Sequence, residues 1–380
     1  MPGLAELVEA VRQLEGLTEQ VGAFALPSNT CDRAPDAVAA VCRALEVPLT
    51  FDAPATGRRQ DFAVTALAAG IRRAQRAPEL AGLDSDRVTS EARRRYEAEN
   101  AEGVLRRLHR PDGTVLAVFD AGPLDAPCVL FSPACAMSYR LCLPWIRELG
   151  HAYRCLVPQT RGTSGRIVDP YDFDRSGHGV TDQAEDLIAV LEAFATGPVH
   201  LMGMCGGAVP ALVVAAGRPE SVPSLSLWHA DLDLGPEAPK SDHQTNLRAL
   251  LDLAGESRDT AAWVRERLTS GPMPGVPDGI GPLVVRPYAT TELFYRYAKL
   301  TGATMHWDSR PTAVDVRQPC LVVTSRDDHT AHPAGSMRLA ELLPAARLAV
   351  ADHGTHLDAF RATTEQVGSL RSFLASLPVR

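Results

Sequence analysis

The run HLMGMCGGAVPAL, His200 to Leu212, places a cysteine between glycines where an apolar strand-like stretch gives way to a helix-like one. A side chain held on such a turn projects above a sheet, and flanking glycines leave room for the sharp bend. The helix that follows offers free N–H groups and the positive end of its dipole, which favour a thiolate or a developing oxyanion. A thiol nucleophile needs a base, and the base needs an orienting acid. SRDDHTAHP supplies Asp327 and Asp328, and ADHGTH supplies His353 and His356, each pair just past another apolar run. The chemistry these types can do together is covalent attack on a carbonyl carbon.

Such residues must be carried to one place by a scaffold. From residue 103 onward short apolar runs alternate with helix-like segments. PCVLFS (127–132), RCLVPQ (154–159), PVHLMG (198–203), SLSLWHA (224–230), PCLVVTS (319–325) and ARLAVAD (346–352) read as buried strands. Strands alternating with helices mean a mostly parallel sheet covered on both faces, an α/β class. Two alternating runs around Pro111-Asp112-Gly113 predict a hairpin over 103–122. Residues 1–102 carry helical spacings and no strand signal, so they are expected to form an N-terminal helical segment. Residues 233–312 interrupt the alternation and contain the Pro/Gly-rich GPMPGVPDGIGP. They are expected to form a lid inserted into a core of 103–232 and 313–380.

The motifs, in this order, resemble the α/β-hydrolase fold. FSPACAMS (131–138) is similar to its oxyanion loop, with Pro133-Ala134 where His-Gly is usual. QTRGTSGR (159–166) is similar to its D-x-R-G-x-G loop, with Gln159 replacing the acid. GMCGG resembles its nucleophile elbow, SRDDHTAHP its acid loop and HGTH its histidine loop. The resemblance implies Cys205 as nucleophile, Asp328 as acid and His356 as base, with Asp327 and His353 as runners-up. The N–H groups of Gly206 and Cys135 would form the oxyanion hole. Met204, Ala134, Trp228, His229 and Trp307 are candidate substrate contacts. Cys205-Gly206-Gly207 and Asp328-His329 are also similar to the cysteine and Asp-His pair of polyhydroxyalkanoate synthases, and dienelactone hydrolases likewise use cysteine on this fold.

A thioester intermediate keeps the energy of its precursor, so the first expectation is acyl transfer from a thioester or activated ester, as an acyltransferase or thioesterase. The second is hydrolysis of an ester, lactone or carbon–carbon bond by the same triad. The third is a non-catalytic binding protein on a hydrolase scaffold. In the transfer reading, Trp263, Leu268, Leu293, Phe294, Tyr295, Tyr297 and Trp307 of the lid would line an apolar acyl site. The partner is then a small acyl substrate, carried on CoA or a carrier protein, and a homodimer is compatible. A net charge of -8 gives no electrostatic reason to expect nucleic acid or an anionic membrane. No G-x-G-x-x-G follows the first strand and no Cys/His spacing completes a ligand set, so neither cofactor nor metal is expected. The eight cysteines are scattered and no signal-peptide pattern opens the chain, so reduced thiols in a cytoplasm are expected.

Overall fold

The computed structural model describes residues 1–53, 61–271, 276 and 279–377. The first hundred residues form α1 (Pro2–Arg12), α2 (Glu15–Val21), β1 (Phe24–Pro27), α3 (Pro35–Ala44), β2 (Leu49–Ala53), α4 (Phe62–Ala74) and α5 (Ser85–Asn100). Leu4, Leu7, Val8 and Val11 recur on one side of α1 and are buried. Asp61 caps α4 by accepting from the N–H groups of Ala63 and Val64 at 3.0 and 3.1 Å. The expectation of a purely helical segment is corrected: β1 and β2 pair in parallel. They have four and five residues, too few to show a period of two, and their pairing is made across the intervening α3.

Downstream, β3 (Gly103–His109) and β4 (Val115–Ala121) form the hairpin, with Gly113 turning at φ 85°. Then come β5 (Cys128–Ser132), α6 (Leu143–Leu149), β6 (Arg154–Pro158), α7 (Asp172–Arg175), α8 (Val180–Phe194), β7 (Val199–Met204), α9 (Ala208–Gly217) and β8 (Ser224–Trp228). Next is a helical stretch: α10 (Asp242–Glu256), α11 (Arg258–Thr269), α12 (Gly281–Val285), α13 (Thr291–Met305) and α14 (Arg310–Asp315). The chain returns through β9 (Cys320–Ser325), α15 (Pro333–Leu342), β10 (Ala346–Ala351) and α16 (Thr364–Ala375). Within the Pro/Gly-rich 271–282, residues 272–275 and 277–278 lie outside the described residues.

The eight strands from β3 to β10 form one sheet in the order β10-β9-β8-β7-β5-β6-β4-β3. Strand β4 pairs antiparallel with both neighbours, and every other pairing is parallel. This is the α/β-hydrolase arrangement. Successive side chains of a strand enter opposite layers. Leu130 and Leu201 join Leu212, Leu225 and Val322 in one core. Phe131 and Met202, one residue on, join Trp145, Trp228 and Phe373 in the other. The N-terminal unit keeps a core of its own, which Val285, Ala289 and Leu293 from the inserted stretch complete.

One buried titratable group sits inside the sheet. His200 on β7 pairs its Nδ1 with Ser224 Oγ and its Nε2 with Ser226 Oγ, both at 2.9 Å. Burial pushes its pKa down to about 3. The unfolded chain takes up this proton near the ordinary histidine value of about 6.5, whereas the native state does not. Stability is therefore lost as pH falls from that value towards 3, at a slope of about 1.4 kcal/mol per pH unit from this group alone. Urea denaturation of native protein and His200→Gln across pH 4–7 checks this. The variant is expected to lose that slope.

Candidate active site

Strand β7 ends at Met204, and the chain makes a single 3-10 turn, Cys205–Gly207, before α9. Cys205 takes φ 52°, a left-handed conformation costing about 1–3 kcal/mol for a non-glycine residue. The neighbouring glycines are dictated by close approach. A Cβ at Gly203 would lie 2.8 Å from Ala208 Cα, and one at Gly207 would overlap the carbonyl oxygens of Ser132 and Pro133. The elbow is thus pressed onto the loop after β5, and Ser132 Oγ donates to Gly207 O at 2.7 Å. Cys205 stays half-buried, whereas the other described cysteines except Cys31 are buried.

The candidate acid and base come from the ends of β9 and β10. Asp328 Oδ1 accepts the N–H groups of Thr330 and Ala331, each at 2.9 Å. Its Oδ2 accepts His356 Nδ1 at 2.9 Å. Ser325 Oγ donates to Gly354 O at 2.8 Å and ties the two loops together. The opposite ring nitrogen, His356 Nε2, is buried and has no partner of good hydrogen-bond geometry among the described residues. The Cys205 sulfur is its neighbour there. Burial disfavours the imidazolium, but the Cys205 and Asp328 charges outweigh it and hold His356 well above the ordinary histidine range. Burial likewise opposes the Asp328 carboxylate, yet the hydrogen bonds from His229 and His356 hold its pKa well below the usual range. The runners-up pair with each other in solvent: His353 Nδ1 lies 2.9 Å from Asp327 Oδ2, with His353 91% exposed. His329 is also exposed, and His332 accepts the Ala334 N–H at the start of α15.

The loop after β5 lies beside the elbow. A Cβ at Gly206 would be 3.6 Å from Cys135 Sγ. Thr160 Oγ1, from the Gly-rich loop after β6, holds the Ala136 N–H at 3.0 Å, and Ala136 takes φ 59°. Arg161 anchors that loop with two bonds of 2.7 Å to Asp186 on α8. The Cys135 thiol faces Gln183 Oε1 at 3.4 Å, and burial pushes its pKa up to about 12. It is a neutral neighbour of the Cys205 sulfur.

Of the expected substrate contacts, Ala134 is buried in the loop after β5, where its carbonyl accepts the Met137 N–H. Met204 is fully buried, with its sulfur 3.9 Å from Cys142 Sγ. Trp228 is fully buried beneath the sheet end, edge-on to Trp145 at 4.7 Å. Trp307 packs against the opposite core. Met204 and Trp228 are thus core residues, in the cluster against which Cys205 itself packs, with Trp307 on the other face of the sheet. Of the expected apolar lining, Tyr297 lies near Cys205, in a cluster that also holds Ala136 of the loop after β5. Phe294, Tyr295 and Tyr297 pack with α10 and α11, Leu293 faces the N-terminal core, and Trp263 is 57% exposed.

His229 contacts Asp328 rather than open space: its Nδ1 lies 2.8 Å from the same Oδ2 that His356 holds. The atoms of His229, Asp328 and His356 lie close enough together to ligate an ion, but both Nδ1 atoms and both carboxylate oxygens are engaged in hydrogen bonds. Sequence reasoning missed Asp231. Its N–H donates to Cys205 O at 3.3 Å, and its Oδ1 accepts Gln244 Nε2 at 2.6 Å. A cavity of about 200 Å³ opens there, lined by Asp231, Lys240, Gln244, Arg248, Asp252 and Met305 among others. The signal was available only as WHAD following a strand end, which says nothing about where the carboxylate points.

No protein-family model matches the chain. Two bacterial proteins named "Putative carbamate hydrolase RutD" are similar to it. The one from Agrobacterium fabrum is 27% identical over 245 residues, covering 61% of this chain and 87% of the relative. The one from Variovorax paradoxus is 29% identical over 264 residues, covering 67% and 94%. Among solved structures, the enol-lactonase of Burkholderia xenovorans LB400 superposes with TM-score 0.54 at 18% identity, covering 71% of this chain and 100% of its own. The esterase RhEst1 of Rhodococcus sp. ECU1013 does so with TM-score 0.55 at 19% identity, covering 72% and 99%. These structural likenesses show the α/β-hydrolase fold.

The packing of the elbow onto the β5 loop makes a direct prediction. Gly207→Ala forces the loop carbonyls apart and is expected to destabilise the protein by about 1–3 kcal/mol. Thermal denaturation reads that loss, and the rate of Cys205 alkylation by iodoacetamide is expected to change with it. Gly217→Ala, in open space at the end of α9, serves as the control and is expected to change neither.

Proposed function

We propose that the protein is a hydrolase that cleaves an acyl bond through a covalent thioester on Cys205. The observation that carries the reading is the buried Asp328–His356 pair, whose imidazole has the Cys205 sulfur as its other neighbour. The Cys205 thiolate attacks the substrate carbonyl carbon. The oxyanion so formed is received by N–H groups of the elbow and the β5 loop, for which Gly206 and Cys135 are the candidates. Collapse expels the leaving group, which takes its proton from His356. The neutral imidazole then draws a proton from water, the hydroxide attacks the thioester, and the acid leaves as the thiol side is restored.

Hydrolysis is preferred to acyl transfer because the relatives are named hydrolases and no relative described above is named a transferase. Their name makes carbamates a substrate class to try beside esters and lactones. The cavity lined by Asp231 is linked to the elbow through the Asp231 N–H, which donates to Cys205 O, and is a candidate place for part of the substrate.

Intact-protein mass spectrometry after mixing with aryl esters, lactones and aryl carbamates tests this. One acyl mass is expected on the native protein and none on Cys205→Ala, with free acid accumulating in water alone. Release only on adding an amine or alcohol would establish transfer instead, and absence of any adduct and any turnover would sink the covalent reading. His356→Asn is expected to lower kcat/KM about 10²–10⁴-fold. Asp328→Asn is expected to lower kcat by at least about tenfold.

A further inference from the structure

Five non-glycine residues among those described take positive φ, and three of them, Ala136, Cys205 and His229, gather at this site. The strain at Cys205 serves the elbow. That at His229, φ 47°, has another use. The residue follows the last position of β8, and its N–H still pairs with Val323 O of β9 at 2.8 Å. The left-handed turn there swings the imidazole across to the loop after β9, where Nδ1 meets Asp328 Oδ2 at 2.8 Å. His229 is 2% exposed, and its ring stands edge-on to that of His356, with centroids 5.8 Å apart.

A single carboxylate oxygen therefore accepts from two imidazoles. The other oxygen, holding two backbone N–H groups, already fixes the carboxylate's orientation. The second imidazole adds a fourth donor to a carboxylate whose orientation is already set. An acceptor shared between two donors offers less charge to each, and less charge on Oδ2 means a weaker hold on the imidazolium of His356. We propose that His229 is a positioning residue of the catalytic pair, sharing Asp328 Oδ2 so that His356 gives up its proton more readily than it would beside an unshared carboxylate. This rests on the reading of His356 as the base of the proposed hydrolase. The functional use is clear: a base held too tightly protonated cannot activate water in the second half-reaction. The other charged or titratable groups facing the cluster are Cys205 on the far side of His356, and Asp231 and His243 from the adjoining strand end and α10.

The test is a histidine-selective ¹⁵N NMR titration of the full chain carrying Cys205→Ala, so that His356 titrates without the sulfur. The His356 signal is identified by its loss in His356→Asn. His229→Leu removes the donor and fills its space. His229→Asn keeps an N–H close to the position of Nδ1 and tolerates the left-handed backbone. His229→Gly replaces Leu should the Leu variant fail to fold. The His356 midpoint is expected to rise by about one pH unit, a tenfold change in proton affinity, in Leu or Gly, and to stay near the native value in Asn. No shift on removal, or the same shift in Asn as in Leu, overturns the proposal and leaves His229 a packing residue. In turnover assays, a change in KM without a shift of the kcat profile would make it a substrate contact and equally overturn it. The titration needs neither thiol nor substrate, so failure of the hydrolase reading shows separately, as absence of an acyl adduct on Cys205.

Discussion

A buried carboxylate must have its lone pairs met by protein donors, and the arrangement around Asp328 follows from that constraint. Two backbone N–H groups of its own loop take Oδ1, and imidazoles from two other loops take Oδ2. Removing one partner of such a cluster leaves a buried charge under-compensated, which costs more than the bond itself contributes. The ends of β8, β9 and β10 are therefore held to one another through a single carboxylate. The elbow at the end of β7 joins them because β7 and β8 are neighbours in the sheet.

The same logic extends to the helices inserted between β8 and β9. Ser241 caps α10, and its hydroxyl donates to Thr330 O of the acid loop at 2.7 Å. Gln244, three residues on, accepts the His332 N–H and donates to Asp231. The helix cap thus doubles as a clasp between the insertion and the loops after β8 and β9. The N-terminal unit is tied in similarly. Arg286, fully buried with its pKa lowered to about 10 by burial, donates to Gly16 O, Gln20 Oε1 and Thr163 O. One guanidinium links the N-terminal helices, the insertion and the Gly-rich loop that supports the loop after β5.

Much of the fold was legible from local pattern. Every core strand expected from an apolar run is present, the Pro-Asp-Gly turn makes its hairpin, and the Gly-rich elbow occupies a strand-to-helix turn. These signals are local: alternation, apolar run length and glycine at a tight bend are written in a few consecutive residues. The strands β1 and β2 were missed because four or five residues carry no usable period and their partner is remote in sequence.

The sequence alone determined the residue types at the elbow and the two loops that could serve it, because strand ends in a parallel sheet are ordered along the chain. It narrowed the acid to Asp327 or Asp328 and the base to His353 or His356 but could not choose between them on its own residues. Tertiary structure separated them by burial: one pair meets beside Cys205 and the other meets in solvent. It also turned Met204 and Trp228 into core residues and gave His229 a partner 99 residues away. Facing, burial and hydrogen-bond sharing are set by how distant segments pack, and no single stretch of sequence contains them.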